Sequence, residues 1–141
     1  MSLKNILLIG LTSILFSGCF ATTSRSLDTH NLMDKFEIDK NFINSAEYVY
    51  EMLENCKSNN LLTNEKKLFP TLGKAEVNTF GQITIFGGTN YWWNINFEKI
   101  NDKKTSVIIY SYMNTENTRD RVYTIKNWLL NNSKNCDKNP F

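Results

Sequence analysis

Three thiols, one imidazole and a scatter of carboxylates are the groups in this chain whose chemistry is worth weighing. The thiols are Cys19, Cys56 and Cys136, and the imidazole is His30. Nucleophilic catalysis needs a base within hydrogen-bond reach of the nucleophile. The single histidine sits in a polar, Ser/Thr-rich stretch, so no base is placed for a thiol. No Cys-x-x-Cys spacing is present, so a dithiol redox role lacks its motif. The same shortage of His and Cys leaves zinc without a ligand set. Glu76 and Glu98 fall on strand-like segments and are the carboxylates to weigh for glycoside hydrolysis, although they read more simply as solvated strand residues. Gly87-Gly88 does not precede a helix, so it is not a phosphate loop. The expectation is a non-enzymatic chain with no catalytic residue, no metal and no cofactor.

The thiol at Cys19 has a different setting. Lys4 supplies a positive start, Ile6 to Phe16 is an apolar run broken only by Gly10, Thr12 and Ser13, and the small residues Ser17 and Gly18 precede the cysteine. This is the layout of a secretory signal. The run is far shorter than the roughly 20 residues that span a bilayer. Leu15-Phe16-Ser17-Gly18-Cys19 resembles the lipobox of bacterial membrane lipoprotein precursors. The resemblance covers these residues and the apolar run before them, and nothing further along. It implies that the Cys19 sulfur takes a diacylglycerol, that residues 1–18 are removed, and that the new amine is acylated. Each buried methylene contributes roughly 0.8 kcal/mol, so several chains on one residue make a lasting anchor. Phe20, not Asp, follows the cysteine, which by the same resemblance implies sorting to the outer membrane, on its periplasmic side.

Length fits that plan. The 141 residues divide into a signal at 1–18, a lipidated cysteine and polar tether at 19–35, and a single domain at 36–141. The net charge of +2 gives no basic surplus to suggest nucleic acid. With Cys19 taken by lipid, Cys56 and Cys136 remain, and in an oxidising compartment an even remainder reads as a disulfide. It would close a loop of about 80 residues, for which chain entropy gives about 4.5 kcal/mol.

Periodicity supplies the elements. Phe36 and Ile38 alternate as a short strand or extended lead-in. From Asn41 to Cys56, Phe42, Ala46, Val49, Leu53 and Cys56 recur at helical steps, with Tyr50 beside the stripe and Glu47, Glu51 and Glu54 outward. Asp39 or Asn41 can cap this helix. Residues 57–73 are too apolar for a free linker and read as an ordered connection. A period of two then predicts four strands, at 75–80, 82–86, 91–100 and 105–113, with Gly81 as a turn or bulge. A second helix follows, with Asn117 as N-cap, Asp120 at N3, and Val122, Ile125 and Leu129 as its stripe beside Trp128. The expected fold is α+β, a four-stranded antiparallel meander with two helices packed on one face, in the order α-β-β-β-β-α.

On that plan Trp93, Ile95 and Phe97 are core, and Trp92, Tyr110 and Tyr112 share the opposite face. Tyr and Trp on an open sheet face suit recognition of protein or of sugar rings; they equally suit a small second core under the 57–73 connection. The leading expectation is an envelope lipoprotein, held to the membrane by lipid on Cys19, that binds another envelope protein through Trp92, Tyr110 and Tyr112. The alternative is a carrier or sensor of a small apolar or glycan ligand, bound between helices and sheet against Tyr50, Trp93, Phe97 and Trp128.

Overall fold

A computed structural model describes residues 31–57, 62–83 and 88–136. Residues 1–18, Cys19 and His30 lie outside them. The described elements are β1 (Asn31–Ile38), α1 (Phe42–Cys56), β2 (Leu62–Phe69), a 3-10 turn (Pro70–Leu72), β3 (Lys74–Ile83), β4 (Gly88–Asn101), β5 (Lys104–Ser111) and α2 (Glu116–Asn131). The strands form one sheet in the order β1-β5-β4-β3-β2, with every neighbouring pair antiparallel.

The expected four-stranded meander is therefore corrected to five strands. Leu62–Phe69, expected within an ordered connection, is an edge strand paired with β3 along its whole length. Its sequence, LTNEKKLF, hides the alternation because its helix-facing positions are polar. Asn64 and Lys66 lie across from Thr79 and Val77, and α1 supplies their partners. Asn64 donates to Glu54 Oε1 at 2.8 Å and accepts from Thr79 Oγ1 at 2.6 Å. Lys66 Nζ lies 3.3 Å from Glu47. Gly81, expected as a turn or bulge, sits in continuous β3, paired with Leu62 on one side and Asn90 on the other; β3 takes in the first two residues of the expected second strand, and residues 84–86 lie outside the described residues.

β1 begins at Asn31 and takes up the last five residues of the stretch read as tether. Of its exposed positions Lys35 and Glu37 are charged and Leu32 is apolar, and a register shift between Leu32 and Asp34 interrupts its pairing with β5. Bulges and charges of this kind blunt an edge strand, and they also mask its period in the sequence.

The helices follow their stripes. Asn41 caps α1, its side-chain oxygen accepting from the Ile43 and Asn44 amides. The second cap is Thr115 rather than Asn117, in a reciprocal box with Thr118. Phe42, Ala46, Val49, Leu53 and Cys56 of α1 and Val122, Ile125, Trp128 and Leu129 of α2 are buried. They share one core with Ala75, Val77, Trp93, Ile95, Phe97, Val107 and Ile109 from one face of the sheet. Cys56 and Cys136 form a disulfide with Cα atoms 5.3 Å apart, joining the end of α1 to the tail after α2. Two further bonds hold that tail: Trp128 Nε1 donates to Asn135 O at 2.7 Å, and Tyr48 Oη donates to Ser133 O at 2.8 Å.

Candidate functional site: the open face of the sheet

Pleating sends alternate residues to opposite faces. With Trp93, Ile95 and Phe97 under the helices, β4 turns Asn94, Asn96 and Glu98 the other way. The register places Asn94 beside Tyr110 and Asn96 beside Ile108 on β5. On the other side, Asn94 faces Asn78 and Asn96 faces Glu76 on β3. Both described helices pack against the opposite face, so among the described residues no helix covers this one.

Of the three aromatic residues expected to share a face, Tyr110 lies beside Asn94 on the face away from the helices, whereas Trp92 falls at the register shift between β3 and β4 and packs in part against the core. Trp92 and Tyr112 meet edge to face, with centroids 6.4 Å apart and planes at 78°, a favoured geometry for aromatic pairs. Backbone bonds fix the pair, since the Tyr112 amide donates to Trp92 O at 3.1 Å. Tyr110 lies on β5, and Tyr112 follows the end of that strand.

Below these rings runs a row of amides that the sequence reading did not single out. Asn94 Nδ2 donates to Asn78 Oδ1 at 2.6 Å. Both residues are almost fully buried, at 1% and 0% exposure. Asn78 Nδ2, Asn94 Oδ1 and Asn96 Oδ1 have no hydrogen-bond partner. Buried polar groups are almost always paired, so three on one face is the clearest anomaly in the molecule. An asparagine amide can be turned end for end, but for Asn78 and Asn94 the outcome is the same. One bond between two amides always leaves one N–H donor and one carbonyl acceptor.

Glu76 and Glu98 also lie on this face, around a cavity of about 220 Å³ lined with Lys74, Asn96, Ile108 and Tyr110. Lys74 Nζ is 3.1 Å from Glu98. Among the other charges of the face, Lys67 pairs with Glu65 at 3.0 Å and Lys104 with Glu37, while Lys35 stands exposed across from Ile108. Neighbouring Glu37 raises the pKa of Lys104, by hydrogen bond first and by charge second.

A second cleft, of about 400 Å³, opens where the start of α1 meets the end of α2, between Lys40, Ser45, Tyr48 and Leu129. Lys40 Nζ donates there to Leu129 O and Asn132 Oδ1, satisfying the carbonyl end of α2. Burial lowers its pKa. No periodicity or motif points to this contact, which joins residues 89 and 92 positions apart.

The residues read as lining an interlayer groove are otherwise placed. Trp93, Phe97 and Trp128 are core, at 3%, 0% and 0% exposure. Tyr50 is half-buried, with the Lys66 ammonium 5.5 Å from its ring centre. Among the described residues no group of three His, Cys, Asp or Glu side chains is placed to hold a metal, and no helix is long and apolar enough to cross a membrane. No family model, curated protein or solved structure matches the chain.

Proposed function

We propose that this chain is a lipid-anchored, non-enzymatic module of a bacterial cell envelope that holds another envelope protein on its open sheet face. The observation that carries the reading is the asymmetry of the sheet. One face is closed by both described helices; the other, which no described helix covers, carries Tyr110 and unpaired amides, with the Trp92–Tyr112 ring pair at the end of β5. Aromatic rings with fixed geometry and a few polar groups are what the centre of a protein interface uses. The anchor is the lipid on Cys19, and the signal layout with Phe20 after the cysteine favours the periplasmic side of the outer membrane. A carrier reading needs room between the layers, where Trp93, Phe97 and Trp128 are buried as core.

The test is photo-crosslinking in intact cells from a benzophenone side chain at position 92 or 112. The expected result is one discrete protein adduct from both positions. Adducts from the edge strand at Thr63 alone, with none from 92 or 112, would remove the face from the proposal.

A further inference from the structure

The cleft where the start of α1 meets the end of α2 lies on the helix side of the molecule, away from the open face. At about 400 Å³ it falls within the size range of small-molecule pockets. Its charges are of one sign. Lys40 and Lys134 line it, and among the described residues no carboxylate does. The acidic groups of the neighbouring segments are engaged or placed elsewhere. Asp39 lies close enough to Lys104 to raise its pKa, and Glu47 pairs with Lys66 of β2 at 3.3 Å. Glu51, the next carboxylate along α1, does not line the cleft. Glu116 and Asp120 belong to the start of α2, at its other end.

The accessible polar groups of the cleft are mainly donors, and the fold fixes where they stand. Lys40 Nζ donates to Leu129 O and Asn132 Oδ1; an ammonium has three N–H groups, so one remains. Lys134 sits in a tail pinned on both sides. Ser133 O accepts from Tyr48, Asn135 O accepts from Trp128, and Cys136 is bonded to Cys56. The Lys134 side chain is exposed and makes no hydrogen bond or ion pair among the described residues. Asn41 turns its side-chain oxygen to the cap of α1, which leaves its amide N–H groups over. Asn44, also exposed, lies one turn further on. Leu129 and the ring of Tyr48 supply the apolar part of the lining.

Two positioned cations, further N–H donors and no carboxylate suit a doubly charged anion with several acceptor oxygens. A phosphomonoester has that form, with about two negative charges at neutral pH and acceptor oxygens on three sides. The cations are ammoniums, which act on phosphate as point charges; the planar fork that matches a carboxylate is that of arginine, and no arginine lines the cleft. Burial lowers the pKa of Lys40, and an anion beside it offsets that effect. We infer that this cleft binds a phosphate group carried on a small organic body, with the phosphate against Lys40, Lys134 and Asn41 and the body against Leu129 and Tyr48. A solute and a lipid headgroup present the same phosphate, and the experiment separates them. The site does not depend on what the open sheet face holds.

The probe is glycerol 3-phosphate, titrated at constant ionic strength into the full chain in detergent, with side-chain amide signals followed by nitrogen-15 NMR. The expected result is saturable movement of the Asn41 and Asn44 signals while those of Asn78 and Asn94, on the other side of the sheet, stay still. Affinity should fall about tenfold in Lys134→Gln, through loss of one charge-assisted bond. It should stay unchanged in Lys35→Gln, which removes the same charge from the open face. The Lys134 side chain supports no other group, so that variant should melt with the parent. No saturable movement would overturn the inference. So would equal or tighter binding of succinate, or undiminished affinity in Lys134→Gln. The source of the phosphate is read from the full chain in phosphatidylcholine vesicles, doped to equal surface charge with phosphatidic acid or with phosphatidylglycerol. Weaker binding of radiolabelled glycerol 3-phosphate beside phosphatidic acid assigns the cleft to a headgroup, and equal binding assigns it to a solute; either result keeps the site.

Discussion

Asn78 and Asn94 face each other across β3 and β4 on the side of the sheet away from both described helices, joined by one hydrogen bond of 2.6 Å. Each is buried, and each retains an unpaired polar atom. Hydrogen bonding is asymmetric in its energetics. Removing one partner leaves the other unsatisfied and costs about 1–3 kcal/mol, whereas replacing both is close to neutral. Asn94→Ala should therefore destabilise the domain by about that amount. The double replacement by Val, a good strand residue, should be more stable than either single variant. A double-mutant cycle by urea unfolding measures this, with non-additivity of about 0.5–3 kcal/mol expected.

The disulfide should dominate the response to reductant. Its two cysteines are 80 residues apart, a loop for which chain entropy gives about 4.5 kcal/mol. Cys136→Ser and reduction of the parent should each lower the melting temperature by at least about 10 °C, as followed by circular dichroism. The bonds from Trp128 and Tyr48 to the tail should keep the reduced form folded at room temperature.

Acid should weaken the contact between α1 and β2. The hydrogen bond from Lys57 lowers the Glu54 pKa below its ordinary 4.5, the bond from Asn64 adds to this, and burial opposes it. A carboxylate with a depressed folded-state pKa contributes stability that is full above the unfolded value and is lost as pH falls through the folded one. Between about pH 6 and about pH 3, the urea midpoint of the parent should fall more steeply than that of Glu54→Gln.

Gly73 should tolerate no side chain without cost. Its φ is +62°, and a Cβ would stand 3.1 Å from Lys99 Cβ. Its carbonyl accepts from the Lys99 amide at 2.7 Å, so the backbone is pinned to the end of β4. Gly73→Ala should cost about 1–2 kcal/mol from the left-handed conformation, with a further penalty from the contact. Gly73→Asn should cost less than Ala through better tolerance of that conformation. Chemical denaturation of the three proteins ranks them.

Lys40→Met should loosen the join between α1 and α2. The substitution removes a cation from the carbonyl end of α2 and leaves Leu129 O and Asn132 Oδ1 without that donor. A loss of about 1–2 kcal/mol is expected for a partly buried cation at a helix C-terminus. Faster amide exchange in the last turn of α2 would show where the loss acts.

Both helices and two of the three inner strands, β4 and β5, were legible because their apolar residues recur at the period of the element. Val107 and Ile109 are buried where their neighbours are not, and Phe42 to Cys56 recurs at helical steps. The edge strands were not. Their polar residues point toward the helices and are satisfied by ion pairs, as Lys66 is by Glu47 and Asp34 is by Lys126 at 2.8 Å. A sequence pattern that equates polar with outward therefore misreads them. Alternation alone also misses that Trp92 falls at a register shift and packs in part against the core. Nor does it supply the Asn78–Asn94 bond, which depends on the register between two strands.

Edge position gives β1 a mechanical meaning. Its first residue, Asn31, lies across from Ser111, and its last, Ile38, across from Thr105. Tension arriving from the N-terminal side along the strand axis would be shared by many backbone bonds at once, as in a lap joint. Tension at right angles to the strand would break those bonds one after another. Resistance to pulling should thus depend on direction as well as on magnitude. Hauled lengthwise from its N-terminal end, the domain would sit in its stronger geometry.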